Sequence, residues 1–123
     1  METFSHVLHE LNRYPLAYAH LIVSTADDLR HGAVPVPLAA LRKEFHGPLI
    51  IATGFTYTTA TQALAEDMAD AVTFGRLFIA NPDLPERFRL DAPLNALDEA
   101  TLYGGAEKGY TDYPAMRPQL AER

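Results

Sequence analysis

Apolar residues recur along this chain in two alternating rhythms. Phe4, Val7, Leu8 and Leu11 follow helical spacing, and Thr3 or Ser5 is placed to cap the helix they predict. Tyr14-Pro15 stops that helix, because the residue before a proline is pushed out of the helical region. Leu16 to Val23 is then almost continuously apolar, which predicts a strand buried on both faces, with His20 a hydrogen-bonded core residue. A polar stretch from Ser24 to Pro35, holding Asp27, Asp28 and Gly32, reads as a loop. Pro37 suits the first turn of a second helix over Leu38 to Phe45, which His46-Gly47 ends.

The same alternation then repeats. Pro48 to Ala52 predicts a second strand, with Thr53-Gly54-Phe55-Thr56 as its exit loop. Thr58 or Thr59 caps a helix carrying Ala60, Ala63, Leu64 and Met68. Asp70 to Phe74 predicts a third strand, which delivers Gly75-Arg76 and another helical stretch. Short apolar strands separated by helices imply right-handed crossovers and parallel pairing, so the fold class is α/β. Beyond this, Asn81 to Pro85 starts a short helix over Glu86 to Leu90, and Asp98 to Leu102 predicts a further turn or two. Residues 103–123 form a tail, rich in Gly and Tyr at its start and without helical or strand period; long loops of this kind are usually functional or disordered.

Length and composition narrow the partners. A chain of 123 residues suggests one domain, and 48% hydrophobic with 21% charged content indicates a globular one. The formal net charge of −6 argues against nucleic acid and anionic membranes, so any anion site must be local. Cysteine is absent, which excludes disulfides and thiolate metal sites. No apolar run approaches the ~20 residues that span a bilayer, and Met1-Glu2-Thr3 opens no signal peptide; the expected location is cytoplasmic.

The strand exits carry the candidate chemistry. Gly54 and Gly75 follow consecutive strands, where α/β folds bind ligands, and backbone without a Cβ allows close approach of an anion. The planar guanidinium of Arg76 grips phosphate oxygens at two points. Two readings stay open: a phosphate grip, or two tight turns with Arg76 paired to a surface carboxylate. His6 and His9 share a helix face without further ligands, so no metal site is expected. Ser5 and Ser24 lie in no nucleophile elbow, and Asp27-Asp28 and Glu66-Asp67 read as solvated charges. By residue chemistry the chain has a binding feature and no catalytic set.

The run Phe74-Gly75-Arg76-Leu77-Phe78-Ile79-Ala80-Asn81-Pro82-Asp83-Leu84 is followed by Ala92-Pro93-Leu94-Asn95, Leu102-Tyr103-Gly104-Gly105 and Gly109-Tyr110-Thr111-Asp112-Tyr113-Pro114. These blocks resemble, in order and spacing, the C-terminal end of the old yellow enzyme family, the FMN-dependent alkene reductases. The resemblance is strong from Gly75 onward and weaker before Pro48. It implies a partial (β/α)8 TIM barrel, with strands at Ala17–Val23, Leu49–Ala52 and Ala71–Phe74 as the sixth, seventh and eighth. It also implies FMN as cofactor with NAD(P)H as reductant. The FMN phosphate would be held by Thr53 and Gly54 after the seventh strand and by Gly75 and Arg76 after the eighth, while Tyr103 would stand near the substrate pocket. Thr53-Gly54-Phe55 departs from the family's more usual Gly-Gly-Tyr or Gly-Ala-Tyr.

The family's substrate-anchoring pair, its proton-donating tyrosine and its flavin-ring contacts belong to earlier strands, and none has a counterpart here. A barrel of this type needs about 250 residues, so about half of it lies outside this chain. Three parallel strands do not close a barrel. The chain is therefore expected to pair with a complementary N-terminal half-barrel or to self-associate, and to be inactive alone. The alternatives are a non-catalytic oligomeric FMN- or phosphate-binding or assembly protein, and a truncated remnant.

Overall fold

The sheet follows the predicted alternation. In a computed structural model describing residues 2–24, 32, 37–104 and 106–116, three parallel strands stand in the order β1 (Ala19–Ile22), β2 (Leu49–Ala52) and β3 (Ala71–Thr73). Ala19 pairs with Leu49, and Ile51 with both Leu21 and Val72. Most of the expected Ser24–Pro35 loop, Gly105 and residues 117–123 lie outside the described residues. The chain divides into two units, Met1–Thr73 and Phe74–Arg123.

In the first unit, α1 (Glu2–Leu11), α2 (Leu38–Glu44) and α3 (Tyr57–Ala65) accompany the sheet. Leu8, Leu41, Phe45 and Ala63 bury against Ala19, Leu49 and Ile51, so one sheet face is covered. Asn12 ties α1 to the end of α2, donating to Glu44 O at 2.6 Å and accepting from His46 N at 2.9 Å. Asp70 accepts from Leu49 N at 2.7 Å and pairs with Arg42 at 3.2 Å, which fixes where β2 starts beside β3.

Several details differ from the sequence-based expectation. Thr3 and Ser5 lie inside α1, which starts at Glu2, so neither caps it. The cap of α3 is Thr56, two or three residues earlier than expected from Thr58 or Thr59. Its extended backbone frees its hydroxyl to accept from Thr59 N at 3.2 Å, and Thr59 Oγ1 accepts from Thr56 N at 2.9 Å.

The first strand is shorter than Ala17–Val23 and is not buried on both faces. Alternation puts His20, Ile22, Ile50, Ala52, Ala71 and Thr73 on the face opposite the helices. There His20 and Thr73 are exposed, and Ile22 is 81% exposed. His20 is hydrogen-bonded as expected, with Nε2 3.3 Å from Thr73 Oγ1, but it is not a core residue of this chain. Among the described residues no helix of the first unit covers this face, because α1, α2 and α3 pack on the other.

The second unit holds α4 (Arg76–Ala80), α5 (Leu84–Arg89) and a 3-10 turn at Glu99–Thr101. A buried polar clasp replaces an extended apolar core. Asn81 is fully buried, donates to Leu77 O at 2.9 Å and accepts from Asn95 N at 2.7 Å. Asn95 in turn donates to Ala80 O and to Pro114 O, both at 2.8 Å. Arg87 is 6% exposed and joins Asp83 (2.7 Å), Pro93 O (2.5 Å) and Pro114 O (2.9 Å).

Candidate functional site

The turn after β2 has unusual backbone. Thr53 has φ +96° and Gly54 φ +69°, both in the left-handed half of conformational space. Gly54 adopts this conformation freely, while a β-branched threonine there is strained. Gly54 is exposed, and a Cβ built on it would meet nothing within 4 Å. Its backbone is therefore open to a ligand. Phe55 then packs on the core, and Thr56 starts α3, so the turn stands between two anchored elements.

The lead into the second unit is anchored by aromatic packing. Phe74 meets Phe88 edge-on, with ring centroids 5.2 Å apart. Gly75 occupies the cap position of α4 with φ −80° and open space around its Cα. Any residue can adopt that φ, so only close approach, and not turn geometry, would call for glycine here. Arg76 is the first residue of α4, where backbone N–H groups lack partners within the helix. Its guanidinium is 73% exposed and lies 3.5 Å from the Glu99 carboxylate. The pairing with a surface carboxylate is thus present, in solvent-exposed form.

Tyr103 is 94% exposed with φ +65°, and its N–H donates to the Tyr110 hydroxyl at 3.2 Å. The Tyr113 hydroxyl accepts from Asp98 N at 2.8 Å. The expected tail is therefore hydrogen-bonded around its tyrosines up to Met116. The sequence reading missed Glu99, Asn81 and Asn95. Asp98, a residue type that caps turns, is the available signal for Glu99; the bonds that join Asn81 to Asn95 and Asn95 to Pro114 leave no local signal, since they span 14 and 19 residues.

Each unit separately offers donors suited to a phosphate: an unobstructed backbone at Gly54 in the first, and a solvent-facing guanidinium beside Gly75 in the second. Other chemistry is sparse. An apolar cavity of about 310 Å³ in the first unit is lined by Phe4, Leu21, Ile22, Val23, Leu38 and Leu41 together with His20 and Ser24, and by none of the five candidate residues. Among the described residues, no group of three or more His, Cys, Asp or Glu side chains is placed to hold a metal, and no helix is long and apolar enough to cross a membrane.

Comparison with known proteins shows which chains this one resembles. No family model matches the chain. It is 41% identical over 120 residues to 12-oxophytodienoate reductase 1 of Oryza sativa subsp. japonica, covering 91% of this chain and 30% of that protein. It is 40% identical over 115 residues to 12-oxophytodienoate reductase 2 of Arabidopsis thaliana, covering 90% and 30%. Among solved structures, morphinone reductase superposes with a TM-score of 0.82 at 44% identity, over 94% of this chain and 31% of that one. The chain is homologous to the C-terminal portion of old yellow enzyme family reductases. The old yellow enzyme from Trypanosoma cruzi agrees, with a TM-score of 0.85 at 32% identity over 94% of this chain and 30% of its own.

The old yellow enzyme relationship makes the three-stranded α/β sheet a portion of a TIM barrel. The chain spans about 30% of the length of the curated relatives it matches, a smaller share than the half expected from barrel size.

Proposed function

We propose that the chain supplies the phosphate-holding part of an FMN-dependent alkene reductase and works only when the rest of the barrel is provided. In this reading Thr53 and Gly54 present backbone, and Gly75 and Arg76 present backbone and guanidinium, to the FMN phosphate. Tyr103 contributes an aromatic side chain to the substrate pocket. The observation that carries the reading is the Gly75-Arg76 pair. It follows β3 after Phe74, in a chain 44% identical to part of morphinone reductase, and its guanidinium is solvent-facing.

Bound FMN would supply the redox chemistry, passing a hydride from NAD(P)H to an activated C=C bond. The residues of this chain bind and orient. Arg76 offsets phosphate charge in a protein whose net charge is −6, and a bidentate guanidinium fixes direction as well as charge. No residue of the chain is assigned the proton transfer. The uncovered sheet face with Ile22 and Ile50 supports completion by further strands, from a complementary chain or from a second copy.

The test compares FMN with riboflavin, which lacks the phosphate. The purified chain should bind FMN more tightly than riboflavin. Arg76→Ala should weaken FMN binding about ten-fold or more, as expected for loss of charge-assisted bonds, and leave riboflavin unchanged. Equal FMN affinity in both proteins would remove Arg76 from the site.

A further inference from the structure

We propose that Glu99 is a built-in competitor for the Arg76 guanidinium, so that a phosphate dianion binds by displacing a carboxylate. The proposal rests on the reading of Arg76 as a phosphate ligand and adds what sets the affinity and selectivity of that site. The contact is a single N···O approach of 3.5 Å between side chains that are 73% and 75% exposed. Charge-assisted hydrogen bonds settle nearer about 2.8 Å, and exposed pairs of this kind hold weakly. A dianion that engages the guanidinium at two points outcompetes such a carboxylate. A monoanionic carboxylate ligand, offering no more than Glu99 already offers, does not.

The position of Glu99 is built into the turn. Asp98 Oδ1 accepts from Ala100 N at 3.1 Å, which closes the turn at its start. Thr101 is buried, and its hydroxyl donates to Asp98 O at 2.7 Å. Gly109 packs so tightly on it that a Cβ there would collide with the Thr101 side chain. With its neighbours fixed on the protein, Glu99 is the side chain of this turn that projects to Arg76. Its carboxylate raises the threshold for an incoming anion by the modest amount an exposed pair supplies.

The experiment titrates the purified chain with FMN and, separately, with inorganic phosphate. Glu99→Gln should tighten both about two- to five-fold, the range of an exposed ion pair, and leave riboflavin unchanged. The gain should vanish in an Arg76→Ala background. Unchanged or weaker phosphate and FMN binding in Glu99→Gln would overturn the competitor role. A second readout does not depend on flavin: in NMR titrations, inorganic phosphate should shift the Glu99 carboxyl resonance in the wild type but not in Arg76→Ala. A chain that binds no FMN yet shows this shift keeps the competitor role and loses the FMN reading; absence of the shift overturns the competitor role itself.

Discussion

Purified alone, the 123-residue chain should sediment as oligomers and not as a 13.6 kDa monomer. The reason is the uncovered sheet face. Ile22 is 81% exposed, and Ile50, Ala52 and Ala71 share its side of the sheet with His20 and Thr73. Burying one such isoleucine is worth about 2 kcal/mol, so self-association gains more than an isolated sheet does. Strand edges add to this, because unpaired backbone N–H and C=O groups template pairing with another chain. Ile22→Glu should move the population toward monomer by placing a charge on the contact face. A monodisperse wild-type monomer with one cooperative unfolding transition would contradict the account of this face.

Arg87→Leu should free the segment from Pro93 to Met116 from the second unit. The substitution keeps an apolar stem but removes the donors to Asp83, Pro93 O and Pro114 O. Buried acceptors left without donors are costly, and the expected loss is about 3 kcal/mol. Hydrogen exchange should quicken at Asn95 N and Met116 N, whose acceptors are Asn81 and Asp83. The first unit, which has its own core, should keep its protection. Unchanged exchange across the second unit would show that the clasp is not what holds it.

The same clasp gives a pH dependence. The hydrogen bond from Arg87 holds the Asp83 carboxyl below its ordinary 3.8, helped by the Met116 N–H. A group whose folded-state pKa is depressed contributes stability that is present above its unfolded value and lost as pH falls through the folded one. The segment should therefore stay closed above about pH 3.8 and loosen below it. Asp83→Asn should loosen the clasp at neutral pH and abolish this acid dependence.

What the sequence made legible follows the range of the interactions involved. Strands β2 and β3 were readable because Leu49-Ile50-Ile51-Ala52 and Ala71-Val72-Thr73 are local apolar runs bounded by turn residues. Gly75-Arg76 was readable because the pair stands directly after such a run. The cap of α3 lies two or three residues before the expected one, since residues 53–59 include four threonines and only backbone geometry selects Thr56. Burial of β1 is less than the run suggests because an apolar run does not reveal that one of its faces has no partner among the described residues. The part of the Asn81–Asn95 and Arg87 network that closes over Pro114 is not legible, because Ala80 O and Pro114 O lie 15 to 27 residues from their donors. Glu99 reaches Arg76 from 23 residues away, through a turn whose position depends on Thr101 meeting Gly109.

We propose that this chain supplies the phosphate grip of an FMN barrel whose other strands come from outside these 123 residues. Co-production with the N-terminal portion of a relative such as Arabidopsis 12-oxophytodienoate reductase 2 tests it most directly. The account predicts a one-to-one complex of defined mass that retains FMN through gel filtration, and that loses it when Arg76 is replaced by alanine. A chain that forms no such complex, or a complex that stays colourless in the presence of FMN, would contradict it.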